Sequence, residues 1–283
     1  MVQVKLPLPA AAKAPAQAAS RPALRVAGLF AGVGGVELGL GTAGHTASLL
    51  VEFEPGARAV LKQRFADVSL HGDVTTLRSL PRGTELLTAG FPCQDLSQAG
   101  KTKGIRGARS GLVGEVFRLI DRQRRVPWVL LENVPFMLQL DRGRAMNLLV
   151  SEFERLGYRW AYRVVNSLAF GVPQRRERVI FLASQKEDPR EVLFADQAEE
   201  IPPPSSPLGA LACGFYWTEG VRGLGWAVDA VPTLKGGSTV GIPSPPAFVL
   251  PSGEIVTPDI RDAERMQGFA VDWTVPAVEV ARP

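Results

Sequence analysis

Between residues 24 and 184 the chain alternates short apolar runs with amphipathic ones. LRVAGLF (24–30) is an unbroken apolar run that stops at a glycine-rich turn, predicting a buried strand, and VELGLGTAG (36–44) opens a helix after it. HTASLLVEFE (45–54) predicts a second strand, PGARAVLKQRF (55–65) a helix, VSLHG (68–72) a short third strand and ELLTAGF (85–91) another. VPWVLLEN (126–133) is a further buried strand, and RAMNLLVSEFERLGY (144–158) is an amphipathic helix that ends at Gly157. WAYRVVNS (160–167) and ERVIFLAS (177–184) complete the series as strands. Strands alternating with helices of this length imply βαβ units, so an α/β fold with a mostly parallel sheet covered on both faces.

Beyond Ser184 the pattern changes. QKEDPREVLFADQAEEIPPPSSP is acidic and then proline-rich, which predicts a connecting segment with little regular structure. Residues 209–257 are rich in Gly, Pro and Trp without a helical period and predict a small irregular or β lobe, whose Trp217 and Trp226 are expected in its core. A helical pattern resumes at IRDAERMQGF (260–269). Residues 1–22, Ala/Pro-rich and without the continuous apolar centre of a secretory signal, are expected to be a disordered tail. No run of about twenty uncharged apolar residues is present, so no membrane-spanning helix is expected. Only two cysteines occur, Cys93 and Cys213, which rules out a disulfide scaffold and fits a reducing cytoplasm. A net charge of +4 and a pI near 9.3 mildly favour an anionic partner.

Three places carry candidate chemistry. Phe30-Ala31-Gly32-Val33-Gly34-Gly35 follows the first strand, where glycines either make a tight turn or let a ligand approach the backbone at a helix N-terminus. Glu52 lies 20 residues beyond Gly32, the distance at which an acid commonly bonds the ribose of an adenosine ligand. Phe53 beside it covers an adenine face or fills a core, and Asp73 accepts an adenine amino hydrogen bond or caps a helix. Cys93 follows a strand end and a proline, and the loop GKTKGIRGARSG (100–111) beyond it carries Lys101, Lys103, Arg106 and Arg109 with four glycines and no acid. Positive surroundings favour the nucleophilic thiolate, and cations on a hinged loop suit closure on a phosphate backbone, although a solvated loop has the same composition. Glu132 ends an apolar strand, where a carboxylate is costly unless paired or functional. In Gln174-Arg175-Arg176-Glu177-Arg178, strand alternation sends Arg176 and Arg178 to one face, to hold an anionic substrate, to pair with Glu132, or simply to form a charged surface.

FAGVGG, GFPCQ, LENV and QRRERV, in this order, resemble the signature of the DNA (cytosine-5) methyltransferases over about residues 24–184, and the resemblance resumes at RDAERMQGF. It implies a Rossmann-like S-adenosylmethionine methyltransferase fold with a small target-recognition lobe. The implied division is a tail over 1–22, a catalytic domain over 23–185, linker and target-recognition region over 186–257, and a return to the catalytic domain over 258–283. By resemblance Phe30, Gly32, Val33, Gly35, Glu52, Phe53, Asp73, Val74, Pro92 and Leu112 line the cofactor pocket. The resemblance likewise implies that Cys93 is the nucleophile, that Glu132 engages cytosine N3 and the exocyclic amine, that Arg176 contacts O2, and that Arg178 supports the catalytic loop or the same pocket. Gln94, Ser97, Lys101, Lys103, Arg106, Arg222, Lys235 and Ser238 are candidate DNA contacts, and Thr233-Leu234 resembles the recurrent feature of the target-recognition region.

The implied reaction moves a methyl group from S-adenosylmethionine to C5 of a flipped-out cytosine in double-stranded DNA, leaving S-adenosylhomocysteine and needing no metal. The setting the resemblance implies is that of a prokaryotic cytoplasmic enzyme of restriction-modification type, at the nucleoid through DNA. The family's closing Gly-Asn-Ser/Ala-Val segment does not follow Gln267-Gly268-Phe269. The expectation drawn from this is weak cofactor binding until a C-terminal fragment or second subunit completes the pocket. The alternative is an impaired or split methyltransferase-like subunit that holds DNA without turnover.

Overall fold

Seven strands form the main sheet: β1 (Arg25–Leu29), β2 (Thr46–Val51), β3 (Ser69–His71), β4 (Leu86–Ala89), β5 (Trp128–Asn133), β6 (Arg159–Asn166) and β8 (Glu177–Ser184), in the order β3-β2-β1-β4-β5-β8-β6. The computed structural model describes residues 22–92, 111–123, 126–195, 211–217, 224–234 and 246–281. β1 runs parallel to β2 and β4, β2 to β3, and β4 to β5. β1 and β4 are buried along nearly their whole length, as expected of central parallel strands covered on both faces. β8 runs antiparallel to β5, a reversal the apolar pattern of ERVIFLAS does not encode. The order turns back at β1, so the crevice outside the carboxyl ends of β1 and β4 is where an open α/β sheet of this Rossmann-like kind takes ligands.

The helices of this unit are α1 (Gly35–Thr42), α2 (Pro55–Arg64), α3 (Leu112–Gln123), α4 (Arg144–Arg155), the short α5 (Pro189–Leu193) and, after the second unit, α7 (Val275–Ala281). α2 starts where Glu54 accepts the Ala57 N–H and Pro55 supplies a preset φ at the first position. α3 is a helix the glycine-rich approach to Leu112 conceals, yet Val113, Val116, Phe117, Leu119 and Ile120 give it a continuous apolar face. That face meets Phe153 of α4, whose ring lies 5.1 Å from Phe117, 5.2 Å from Phe181 and 5.6 Å from Tyr158. The segment read as irregular after Ser184 contains α5, capped by Asp188, whose carboxyl is held at about 2, below the usual range, by hydrogen bonds from Arg190.

Residues 166–177 and the described part of 211–272 form a separate unit. Its sheet is antiparallel, β9 (Cys213–Trp217) between β10 (Leu224–Val228) and β12 (Ala247–Val249), with β13 (Ile255–Val256) at the edge. β7 (Gln174–Arg175) pairs in parallel with β11 (Val231–Pro232), and α6 (Ile260–Arg265) opens with an Asp259/Asp262 capping box. The lobe is therefore β-structured. Trp226, expected in its core, is 43% exposed and stacks on the facing Phe215 at 6.1 Å. The reason is its outward position on β10, since Ala227 beside it is buried. The Trp217 side chain lies outside the described residues. No helix among the described residues is long and apolar enough to cross a membrane.

Candidate active site

The strand order gathers the chemistry on one edge: the loops after β1, β2, β3, β4 and β5 all leave from carboxyl ends of parallel strands. After β1, Phe30 and Gly32 both take φ +55°, and Gly34 N–H donates to the Ala31 carbonyl (2.9 Å) before α1 begins at Gly35. The Glu52 carboxylate clamps this loop. Oε2 accepts the Gly32 N–H (2.8 Å), and Oε1 accepts the Glu54 N–H (2.8 Å). A Cβ built on Gly32 meets nothing within 4 Å among the described residues, which leave the loop's backbone edge bare. Phe53 projects beside it, 76% exposed, which excludes the core reading of that ring. An apolar ring left this exposed next to a glycine edge and a carboxylate is what a flat aromatic ligand would cover.

Asp73 follows β3 and folds back on its own turn. Its Oδ1 accepts both the Thr75 hydroxyl (2.8 Å) and the Thr75 N–H (2.9 Å), and these bonds hold its carboxyl below the ordinary range. Val74 points into the core, and its carbonyl accepts the Arg118 guanidinium of α3 (3.0 Å). Leu112, at the start of α3, is partly buried against the same core.

The end of β4 carries Gly90, Phe91 and Pro92, with Phe91 buried and Pro92 exposed. Asn133, at the end of β5, is itself buried. Its Nδ2 donates to the Phe91 carbonyl (2.9 Å), and its Oδ1 accepts the Val134 N–H (2.9 Å), so one side chain ties the β4 exit to the β5 exit. Glu132 stands one residue earlier, close enough to Gly90 that a Cβ there would lie 3.5 Å from Oε2. Opposite Glu132 in the antiparallel register is Ile180, and Arg178, two residues away on the same face, reaches Glu132 Oε1 with Nε (2.6 Å). Both side chains are partly buried. The pairing reading of Arg178 is thus the one the geometry takes up, and burial alternates as expected, with Arg175 and Glu177 exposed against Arg176 and Arg178 half-buried.

In the smaller unit Gln174 is wholly buried. Its carbonyl accepts the Ser167 hydroxyl (2.5 Å), its Nε2 donates to the Met266 carbonyl (3.4 Å), and the Thr233 hydroxyl donates to the neighbouring Arg175 carbonyl (2.9 Å). Cys213 is buried on β9, a structural thiol. Cys93, Gln94, Ser97, Lys101, Lys103, Arg106, Arg109, Arg222, Lys235 and Ser238 lie outside the described residues.

Residues 24–213 match the family of C-5 cytosine-specific DNA methylases. The chain belongs to that family. It is similar to the type II methyltransferase M2.BsuMI of Bacillus subtilis strain 168, 52% identical over 89% of this chain and 66% of that protein. It is also similar to M.BanI of Aneurinibacillus aneurinilyticus, 35% identical over 59% of this chain and 40% of that one. Among solved structures, S. pombe Dnmt2 methyltransferase matches at a TM-score of 0.49 and 21% identity, covering 63% of this chain and 57% of the other. The chain thus spans two thirds or less of the length of these relatives.

Within this methylase, residue-level reading of the motifs passed over three side chains. Asn133 lies inside the quoted LENV motif, and its role appears only when β4 and β5 are seen side by side. Gln174 lies inside QRRERV, and nothing local signals its burial. Trp273 of the C-terminal stretch donates from its indole to the Val33 carbonyl of the glycine loop (2.9 Å), a partner 240 residues away that no local pattern announces.

Proposed function

We propose that this methylase transfers a methyl group to C5 of a flipped-out cytosine in duplex DNA, with Cys93 adding covalently at C6. The observation that carries this is the junction of β4 and β5. Asn133 fixes the Phe91 carbonyl two residues before Cys93, while the neighbouring Glu132 is oriented by Arg178. A carboxyl group held at that edge is suited to engage N3 and the exocyclic amine, which withdraws electrons from the ring and makes C6 accept the thiolate. Arg176 is assigned to O2. After methyl transfer, loss of the C5 proton and cleavage of the C6–S bond restore the ring and free the thiolate.

The described residues fit S-adenosylmethionine. The open backbone edge at Gly32, the Glu52 carboxylate and the exposed Phe53 ring offer contacts for the amino acid, ribose and adenine parts, and Phe30, Val33, Gly35, Asp73, Val74, Pro92 and Leu112 are assigned to the same pocket. Bound there, it supplies an electrophilic methyl group, and the protein's task is to orient it and exclude water. Gln94, Ser97, Lys101, Lys103 and Arg106 are assigned to the flipped strand and its phosphates, and Arg222 and Lys235 to the recognised duplex.

A companion reading, that a C-terminal fragment or second subunit completes the pocket, is favoured by one feature. α1 leaves Val36 exposed, and no described residue lies within 4 Å of a Cβ at Gly39 or Gly41. Transfer of labelled methyl groups to duplex DNA, compared between wild type and Cys93→Ser, tests the function. Loss of transfer with DNA binding retained is expected, and transfer by the serine variant would refute it.

A further inference from the structure

The glycine loop is braced from the far end of the chain. Val33 lies in the loop between β1 and α1, and its carbonyl accepts the Trp273 indole N–H (2.9 Å). Arg64, the last residue of α2, donates from Nε to the Trp273 carbonyl (3.1 Å), and its guanidinium carbon lies 5.2 Å from the centre of the indole. Phe65 meets the same indole edge-on, with centroids 6.2 Å apart and planes at 80°. The Phe65 ring also explains Gly34, where φ is +86° and a Cβ would come within 2.3 Å of that ring. Trp273, Arg64, Phe65 and Gly34 are therefore packed as one assembly around the Val33 peptide. The residue before Trp273, Asp272, takes a left-handed φ of +64° that turns the chain into this position, and α7, immediately after, packs along α2.

Apolar burial alone does not account for this tryptophan. Its side chain is only half-buried, and a phenylalanine would bury a similar surface without a polar bond to a loop carbonyl. The loop it holds is the one that presents the bare edge at Gly32 and accepts the Glu52 clamp. We propose that Trp273 is the positioning residue of the cofactor loop. By fixing the Val33 peptide it keeps the Gly32 edge and the Glu52 carboxylate facing one S-adenosylmethionine molecule. Arg64 acts through Trp273, and neither side chain touches a reacting atom. This rests on the cofactor assignment made above.

A residue with this role affects how tightly the cofactor is held, and affects turnover little once the cofactor is bound. Trp273→Phe keeps an aromatic ring beside Phe65 and Arg64 while deleting the indole donor and one ring of the side chain. The loss of one hydrogen bond of ordinary worth weakens binding of S-adenosylhomocysteine by about two- to twelve-fold. Arg64→Met, a second perturbation that acts through the contacts of Trp273, should shift binding in the same direction.

The test is calorimetric titration of the full chain with S-adenosylhomocysteine, together with steady-state methylation kinetics. The expected result is a raised KM for the cofactor with kcat within about two-fold of wild type, and unchanged affinity for DNA alone. Unchanged cofactor binding in both variants, beside a wild type that binds, would overturn the proposal. So would a fall in kcat with KM unchanged, or a parallel loss of both with a lowered melting temperature. A wild-type chain that does not bind S-adenosylhomocysteine brings down the cofactor assignment itself, and this inference with it.

Discussion

Glu132 and Asn133 divide the work of one strand end. The carboxylate is aimed by Arg178 (2.6 Å), whereas the amide grips the Phe91 carbonyl (2.9 Å) and so restrains the segment that leads to Cys93. Replacing Glu132 with Gln keeps the shape of the side chain but removes both the proton source proposed for the reaction and the charge that Arg178 faces. Methyl transfer by Glu132→Gln should fall by about 10²–10⁴-fold, the usual worth of a general acid or base. DNA affinity, dominated by phosphate contacts, should change far less. Parallel filter-binding and methylation assays check this, and equal losses in both would count against the role. Glu132 and the arginines at 176 and 178 were legible as candidates because their types are unusual where they stand, with an acid ending an apolar strand and arginines alternating along the chain. Which alternative each arginine takes was not legible, since Arg178 finds Glu132 only through the β5–β8 register.

At the scale of elements, periodicity gave the strands of the main sheet well, because parallel strands buried on both faces stand out as unbroken apolar runs. It missed α3, whose approach through Gly104, Gly107 and Gly111 reads as loop, and α7, which is short. α1 hides a further feature. Its Glu37 is buried, 4% exposed, with one oxygen accepting the Thr88 hydroxyl (3.0 Å) and the other without a hydrogen-bond partner among the described residues. Burial raises this carboxyl above its usual pKa, opposed in part by hydrogen bonds from the backbone and Thr88. A pKa higher folded than unfolded favours the folded state fully below the unfolded value. That stabilisation is lost as pH rises through the folded value. Glu37→Gln keeps an acceptor for Thr88 and carries no charge, so it should melt at higher temperature than wild type near pH 8, with the gap closing as pH falls below the ordinary carboxylate range. Thermal melts across pH check this, and a gap independent of pH would mean that Glu37 titrates alike in the folded and unfolded states.

For the whole molecule, the central assignment is a chain that closes on duplex DNA with Cys93 as its nucleophile. The basic loop after Cys93 predicts that DNA binding weakens with salt, each neutralised phosphate adding roughly −0.9 to the log–log slope. Lys101→Ala with Lys103→Ala should therefore flatten the slope by up to about 1.8 if both contact phosphate, as read from binding isotherms at several salt concentrations. An unchanged slope would show the loop to be merely solvated. The most direct measurement uses duplex DNA carrying 5-fluorocytosine at the methylated position, with S-adenosylmethionine present. Fluorine cannot leave as a cation, so the C6–S bond that forms before methyl transfer cannot be broken afterwards. The account predicts a protein–DNA adduct stable on a denaturing gel, mapped to Cys93 by mass spectrometry and absent from Cys93→Ser. A preparation that methylates ordinary DNA yet gives no adduct, or gives one at another residue, would contradict it.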